Sequence, residues 1–398
     1  MASTDFTRDR TLGFGLIVKS ILHSFKESVE FNIQKILTDL KLPTVTGAAF
    51  SKARYKIQSD FFKDLSQLII TDYEQNIPKK LWKGYRLLAG DGSTLSLPCC
   101  KAMTTYFGKH EGTASCLAQV FILYDVLSDI VVDARLSKEQ IGEKTHLIAS
   151  LDSLVNRNEI ILLDRGFGHF NTCQLLTAQG RKFCIRISTS NTLFASRMMQ
   201  LDTEDSIVDW QPSEAEISTC KKHHLSTTPL KVRITKITLK NGEIELLVSN
   251  LFDQNEVTIA AMKELYNYRW NVEEGYKKLK SKLKIEYFGC KKPEGVLQEF
   301  YAHIFLMNFI AIVTAVAQER IDEKTKHRKQ QYKCNWQNAY RFVRETIIEL
   351  LAVKNIKMIL DRLLQQIESS VISIRKNRTY KRKTRGTKPK PRYSQMYK

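Results

Sequence analysis

Glu159-Ile-Ile-Leu-Leu-Asp-Arg-Gly-Phe-Gly-His169 is a continuous apolar run that stops at an acid, Asp164, and a glycine-containing turn. A strand with one wet face alternates apolar and polar residues; an unbroken run reads as a strand buried on both faces of a sheet. Upstream, Tyr85-Arg-Leu-Leu-Ala-Gly-Asp-Gly-Ser-Thr-Leu-Ser-Leu-Pro98 predicts another apolar strand, reaching Asp91 and a Gly-Ser-Thr step. Between the two lie strands over Leu117 to Leu127 and Ile130 to Leu136, joined tightly at Ser128-Asp129, and a helix from about Lys138 to Asn156. A helix near Phe170 to Ala178 and a strand at Lys182 to Ser188 follow. Taken alone, an aspartate after a strand is as readily a turn or helix cap as a functional group.

A third stretch, Tyr266-Asn-Tyr-Arg-Trp-Asn-Val-Glu-Glu-Gly-Tyr-Lys-Lys-Leu-Lys280, spaces Tyr266, Arg269, Glu273 and Lys280 by three, four and seven positions. In one uniform helix these side chains fall within roughly a 60° arc along roughly 21 Å of axis. Leu265, Tyr268, Val272, Tyr276, Leu279 and Leu283 form a neighbouring apolar arc that seats the helix on a core. Glu273 with Lys277 also reads as a solvated pair contributing a few tenths of a kcal/mol. Glu274, about 100° further round, competes with Glu273 for any acidic role.

Tyr-x2-Arg-x3-Glu-x6-Lys, preceded by Asp-Gly-Ser-Thr at Asp91 and Asp-Arg-Gly-Phe at Asp164, resembles the DDE transposases of bacterial insertion sequences, specifically the insertion sequence 4 family. The resemblance spans roughly residues 5 to 385, and the spacing of its motifs is the specific part. Strand, strand, strand, helix, strand, helix, strand is the order of a ribonuclease H-like fold, whose first and fourth strands lie side by side and would bring Asp91 and Asp164 together. The expected fold is α/β: a ribonuclease H-like mixed sheet with flanking helices, interrupted by a β-rich insertion, plus an N-terminal helical unit and a basic C-terminal extension. The expected units are 1–78 (helical, DNA-binding), 79–190 and 258–325 (the two parts of the catalytic core), 191–257 (the insertion) and 326–398 (helical region and basic tail). Within the insertion, Leu230 to Lys240 and Glu243 to Leu251 flank Asn241-Gly242, a strong hairpin signal.

The resemblance implies Mg²⁺-dependent cut-and-paste transposition, with Asp91, Asp164 and Glu273 as catalytic metal ligands. Two Mg²⁺ ions are expected, with Mn²⁺ as a substitute, Asp91 bridging both. The DNA-binding residues implied are Tyr266, Arg269, Lys277 and Lys280 at the cut, and Lys52 and Arg54 in the amino-terminal unit. Trp210 is the candidate, by residue type, to receive a flipped base, against the simpler reading that it packs the insertion. The expected partners are double-stranded DNA, as terminal inverted repeats and as target, and a second copy of the chain in the synapse.

Composition agrees. The 398 residues carry 43% hydrophobic and 26% charged side chains, enough for more than one core. Sixty-two Lys and Arg against forty-two Asp and Glu leave +20, which points to an acidic polymer as partner, nucleic acid before membrane. From Arg375 to Lys398 there are eleven basic residues and no acid, a stretch expected to order only on DNA. Eight scattered cysteines show neither a disulfide framework nor a zinc ribbon, and Cys220, His223 and His224 lack a fourth ligand. A charged amino terminus without an apolar signal core predicts a cytoplasmic protein. Tyr301 to Ala317, interrupted by His303 and Asn308, reads as a buried helix rather than a membrane span. No Gly-rich phosphate loop is present. Two alternatives remain: a structure-specific endonuclease of the same fold, and a catalytically silent DNA-binding derivative.

Overall fold

The two apolar runs that end at acids form neighbouring parallel strands. A computed structural model of the chain describes residues 5–7, 11–23, 28–108, 116–138, 140–154 and 158–375. Four helices come first: α1 (Phe14–His23), α2 (Val29–Asp39), α3 (Gly47–Arg54) and α4 (Asp60–Asn76). Then come β1 (Arg86–Leu97), α5 (Lys101–Phe107), β2 (Cys116–Asp125), β3 (Ile130–Lys138), α6 (Glu143–Asp152), β4 (Glu159–Leu163), α7 (Phe170–Ala178) and β5 (Lys182–Ile187). The segment α8 (Leu193–Gln200), β6 (Asp205–Trp210), α9 (Glu214–Lys222), β7 (Leu230–Thr238) and β8 (Ile244–Ser249) leads to α10 (Ile259–Tyr268), α11 (Asn271–Lys277) and α12 (Pro293–Thr325). The described chain closes with β9 (Tyr332–Cys334), α13 (Trp336–Leu350), α14 (Lys357–Ser369) and β10 (Val371–Ser373). The basic tail from Lys376 onward and most of the loop expected at 108–112 lie outside the described residues.

Eight strands form one mixed sheet in the order β3-β2-β1-β4-β5-β8-β7-β6, and β9 pairs with β10 separately. β1 runs parallel to β4 from Arg86↔Glu159 to Gly90↔Leu163, so the first and fourth strands are adjacent as expected. β4 and β5 are also parallel; the remaining pairs are antiparallel. The 191–257 segment does not make a sheet of its own. Its hairpin is apolar on both faces, with Val232, Ile234, Leu246 and Val248 joining Leu163 and Phe183 in one core cluster while Ile237 and Leu247 join the other, so its strands extend the central sheet. Helix α6 begins at Glu143, later than expected, because β3 keeps pairing with β2 as far as Lys138.

The amino-terminal helices share the core of the sheet: Ile17, Ile21, Ile33, Phe50 and Phe62 pack in one cluster with Leu87, Ile122 and Phe300. Across this face lies α12, 33 residues opened by Pro293 at its first position. Its length and composition match a membrane span, yet 67% of the apolar window is buried inside the fold. Asn308, the polar interruption in that helix, serves the edge strand: Oδ1 accepts from Val131 N at 2.8 Å and Nδ2 donates to Val131 O at 2.9 Å. Backbone groups that a bare edge would leave open are thereby closed.

Arg54 is not a surface cation. It is 3% exposed, its Nη1 lies 3.0 Å from Glu299 Oε1, and its Nε donates to Gln298 Oε1 at 3.0 Å. The expectation that it grips DNA is corrected: an amphipathic helix places one residue in three or four inward, and Arg54 anchors α3 to α12. Lys52 of the same helix is exposed. Replacing Arg54 with Met strands Glu299 in the interior and is expected to cost about 3–5 kcal/mol in denaturant unfolding. Lys52→Ala should stay within about 0.5 kcal/mol. A fully stable Arg54→Met would remove the anchor.

Candidate active site

β1 is buried from Arg86 through Gly90 and becomes half-exposed at Asp91. On the neighbouring strand β4 ends at Leu163, and Asp164 turns the chain into a single 3-10 turn, accepting a hydrogen bond from Gly166 N at 2.9 Å. With Gly90 opposite Leu163, the next residues on each strand are the two aspartates. Burial and then the charge of Asp164 push the Asp91 carboxyl up to about 7, against the smaller opposing pull of Arg269 and of the Gly92 N–H. That N–H donates to Asp91 Oδ1 at 3.0 Å.

The 266–280 stretch is not one helix. α10 ends at Tyr268, and Val272 N and Glu273 N reach back only three residues, to Arg269 O and Trp270 O, both at 3.1 Å. After α11 a π-turn spans Lys278–Lys282, closed by Leu283 N to Lys278 O at 2.8 Å. The rotation per residue therefore changes twice, and the expected single stripe is divided. Tyr266 is 2% exposed and packs into the core under Arg269, so its reading as a surface phosphate contact is corrected. Arg269 is 5% exposed; Nη2 holds Glu273 Oε1 at 3.0 Å, the guanidinium lies 4.6 Å from the Trp270 ring centroid, and the buried Nε has no hydrogen-bond partner. Lys280 reaches β1, its Nζ donating to Ser93 Oγ and Thr94 O at 2.7 Å each. Lys277 pairs on the surface with Glu274 rather than with Glu273, leaving Glu273 as the acid of this helix that turns toward the buried arginine.

α11 is fixed over the acids by Tyr276, a member of the apolar arc of this stretch. Its hydroxyl donates to Asp91 O at 2.8 Å and Val120 O at 3.3 Å, and burial raises its pKa well above the ordinary tyrosine value. Gly275 permits this approach: a Cβ there would meet the Tyr124 ring at 3.2 Å. Three further residues near the acids escaped the spacing argument: Glu143, Gln119 and the 43% exposed Trp270. The fold does not bring Trp210 to the site. Its ring is 2% exposed, stacked on Phe194 at 4.2 Å and edge-on to Phe170 at 5.7 Å, so the face a flipped base needs is already filled. That candidacy is corrected to core packing.

Among the described residues no three acidic, histidine or cysteine side chains converge closely enough to hold an ion unaided. The donor set still suits Mg²⁺, a hard cation that usually takes one or two carboxylates and completes its shell with waters and substrate phosphates. Asp91 and Asp164 are such a pair, while Glu273 is held by Arg269 and does not join them in one cluster.

Fold and site define a class: mixed α/β proteins with paired acids at neighbouring strands and cations set against them. A family model described as the transposase DDE domain matches residues 82–309, more than half of the chain, and the chain belongs to that family. The expectation raised by the three motifs is met. The chain is 21% identical over 304 residues to the transposase InsG for insertion sequence element IS4 of Escherichia coli (strain K12), an alignment covering 75% of this chain and 67% of that protein. Among solved structures it matches a piggyBac transposase synaptic complex with hairpin DNA with a TM-score of 0.45 and 11% identity, over 89% of this chain and 74% of that one.

The raised Asp91 pKa makes stability pH-dependent. The folded protein holds this proton more tightly than the unfolded chain does, so the stabilisation is full below the ordinary aspartate value of about 4 and is lost as pH rises through about 7. Asp91→Asn cannot ionise. In EDTA at pH 8 it is expected to be more stable than the wild type by roughly 4 kcal/mol and to unfold at a higher temperature, the gap closing near pH 4. A variant no more stable at pH 8 would contradict the desolvated carboxylate.

Proposed function

We propose that this chain is the transposase of a bacterial insertion sequence, with a ribonuclease H-like catalytic core. It binds the terminal inverted repeats of its element and carries out DNA cleavage and strand transfer with Mg²⁺, or Mn²⁺ in its place. The reading is carried by one observation: Asp91 and Asp164 lie on neighbouring strands with the Arg269–Glu273 pair set against them. The family supports it, and so does a net charge of +20, which suits a DNA partner. A homodimer on paired ends and action inside the bacterial cell belong to the same proposal.

Asp91, Asp164 and Glu273 would hold two Mg²⁺ ions, which when bound supply an activated water and relieve charge on the leaving oxygen. Asp91 must first give up the proton that burial lets it keep near neutrality. More Mg²⁺ is therefore required for half-maximal cleavage at pH 6 than at pH 8. Arg269 offers a phosphate the Nη edge that Glu273 engages. A phosphate seated there competes with Glu273 for the guanidinium, and Glu273 is released toward the acids. DNA entry and completion of the acidic site are thus one event. Lys280, braced on Ser93, adds positive charge beside β1. Tyr266 acts beneath Arg269 as packing, Lys52 and Lys277 remain exposed cations for the DNA backbone, and Trp270 replaces Trp210 as an aromatic surface open to a base.

The decisive assay is Mg²⁺-dependent cleavage of a duplex carrying the element's own terminal repeat. The wild type should nick at the repeat boundary. Asp91→Asn, Asp164→Asn and Glu273→Gln should bind the repeat and lose cutting by roughly 10³-fold or more. Arg269→Ala should weaken end binding. Surviving cleavage in any acidic variant removes that residue from the site, and cleavage of branched DNA with no preference for the repeat points instead to a structure-specific endonuclease.

A further inference from the structure

Among the described residues the most buried acids each hold an arginine: Asp125 with Arg86, Glu159 with Arg181, Glu245 with Arg186 and Glu299 with Arg54. Pairing is the general rule for a desolvated carboxylate. Among the described residues Asp91 and Asp164 form no ion pair, and neither does a third half-buried acid beside them, Glu143. Among the described residues these three carboxylates at one end of a sheet have only the pull of Arg269 on Asp91 as counter-charge, in a chain of net charge +20.

Glu143 opens α6, on the face of the sheet opposite to α11. Leu147 and Leu151 of α6 pack in the cluster that holds Leu88 and Leu163, whereas Val272 and Tyr276 of α11 pack with Leu87 and Ala89. The Glu143 carboxylate lies on the backbone of Gly92, the residue after Asp91, where an ideal Cβ would fall 1.9 Å from Oε1. Neighbouring residues of a strand project to opposite faces. Asp91 and Glu143 therefore flank β1 from its two sides. Gln119 of β2 orients the group, Nε2 donating to Glu143 Oε1 at 3.1 Å, while Oε2 has no hydrogen bond. Burial and then the charge of Asp164 hold the Glu143 carboxyl above the ordinary range.

We propose that Glu143 is a fourth acid of this site, a positioning carboxylate that accepts hydrogen bonds from the waters of the divalent cation held by Asp91 and Asp164. The inference rests on the metal-dependent reading of the site. Because no three donors among the described residues converge on one point, Glu143 acts through water rather than as a direct ligand. Its seat depends on two small features of sequence: glycine at 92, which leaves room, and glutamine at 119, which sets the orientation.

The test is Mn²⁺ binding to the full, metal-free chain without DNA, followed by calorimetry and by the electron-spin signal of free Mn²⁺. Glu143→Gln is expected to weaken binding about 10-fold, without lower thermal stability in EDTA. Gln119→Leu keeps every charge but releases the carboxylate, and should weaken binding by a smaller factor. Wild-type Mn²⁺ affinity in Glu143→Gln overturns the inference, whatever happens to stability; should that variant fold poorly, wild-type affinity in Gln119→Leu overturns it instead. If Asp91→Asn also binds Mn²⁺ like the wild type, or if the wild type binds none, the metal-dependent reading itself has failed.

Discussion

The register of β1 against β4 is the constraint on which everything near the site depends. Five residue pairs run parallel from Arg86↔Glu159 to Gly90↔Leu163, and the next step on each strand is an aspartate. At the spacing of adjacent strands, about 4.8 Å, two ionised carboxylates repel by roughly 3 kcal/mol at an effective dielectric constant of about 20. That repulsion acts at the carboxyl ends of the strands. The opposite ends carry paired charge instead: Arg86 bridges Asp125 and Glu74, and Arg181 holds Glu159. The apolar run of β4, wholly buried between two core clusters, supplies the cohesion that keeps the two acids side by side.

α11 is held to this edge by polar ties rather than by helix length. It has only seven residues, too few to be stable alone. Tyr276 bonds to the backbone of Asp91 and Val120, Asn271 Nδ2 donates to Val126 O at 3.1 Å, and beyond its end Lys278 meets Asp129 at 2.8 Å. Each contact joins the helix to β1 or to the β2–β3 hairpin. Glu273 is thus positioned relative to the strand that carries Asp91, and motion of one carries the other.

Much of this was legible in the sequence because it rests on patterns of short range. Unbroken apolar runs announced β1 and β4, alternation and Asn241-Gly242 announced the β7–β8 hairpin, and Phe170 to Ala178 matched α7. What stayed hidden depends on tertiary context. α8 and α9 are eight and nine residues long, and their weak periodicity is lost among polar residues; only the capping box of Ser213 and Glu216 gave a local sign of α9. That the hairpin would extend the central sheet is a matter of which edge it meets. Arg54 is expected at DNA from the resemblance of its basic segment and Trp210 from residue type, and both are buried. Glu143 carries no motif at all, since its place depends on contact with Gly92, fifty-one positions earlier in the chain.

The irregular backbone on either side of α11 explains how one short motif can serve two environments. At Arg269 and Trp270 the hydrogen bonds reach back three residues, and each residue of such a turn advances about 120° instead of about 100°. The tightening sends Arg269 inward, 5% exposed, and Trp270 outward, 43% exposed, within a single step. At Lys278–Lys282 the bonds lengthen to five residues, and the slack lets Lys280 bend back onto Ser93. A straight helix of the same sequence would have carried Tyr266, Arg269, Glu273 and Lys280 along one stripe and could not have buried the first while leaning the last on β1. Wider and tighter turns both give poorer hydrogen-bond geometry than a regular helix, so these two are retained at a cost in local stability. The gain is positional: α11 becomes a separately oriented piece, with its arginine beneath one end and its lysine folded under the other, and Glu273 between them holding the arginine.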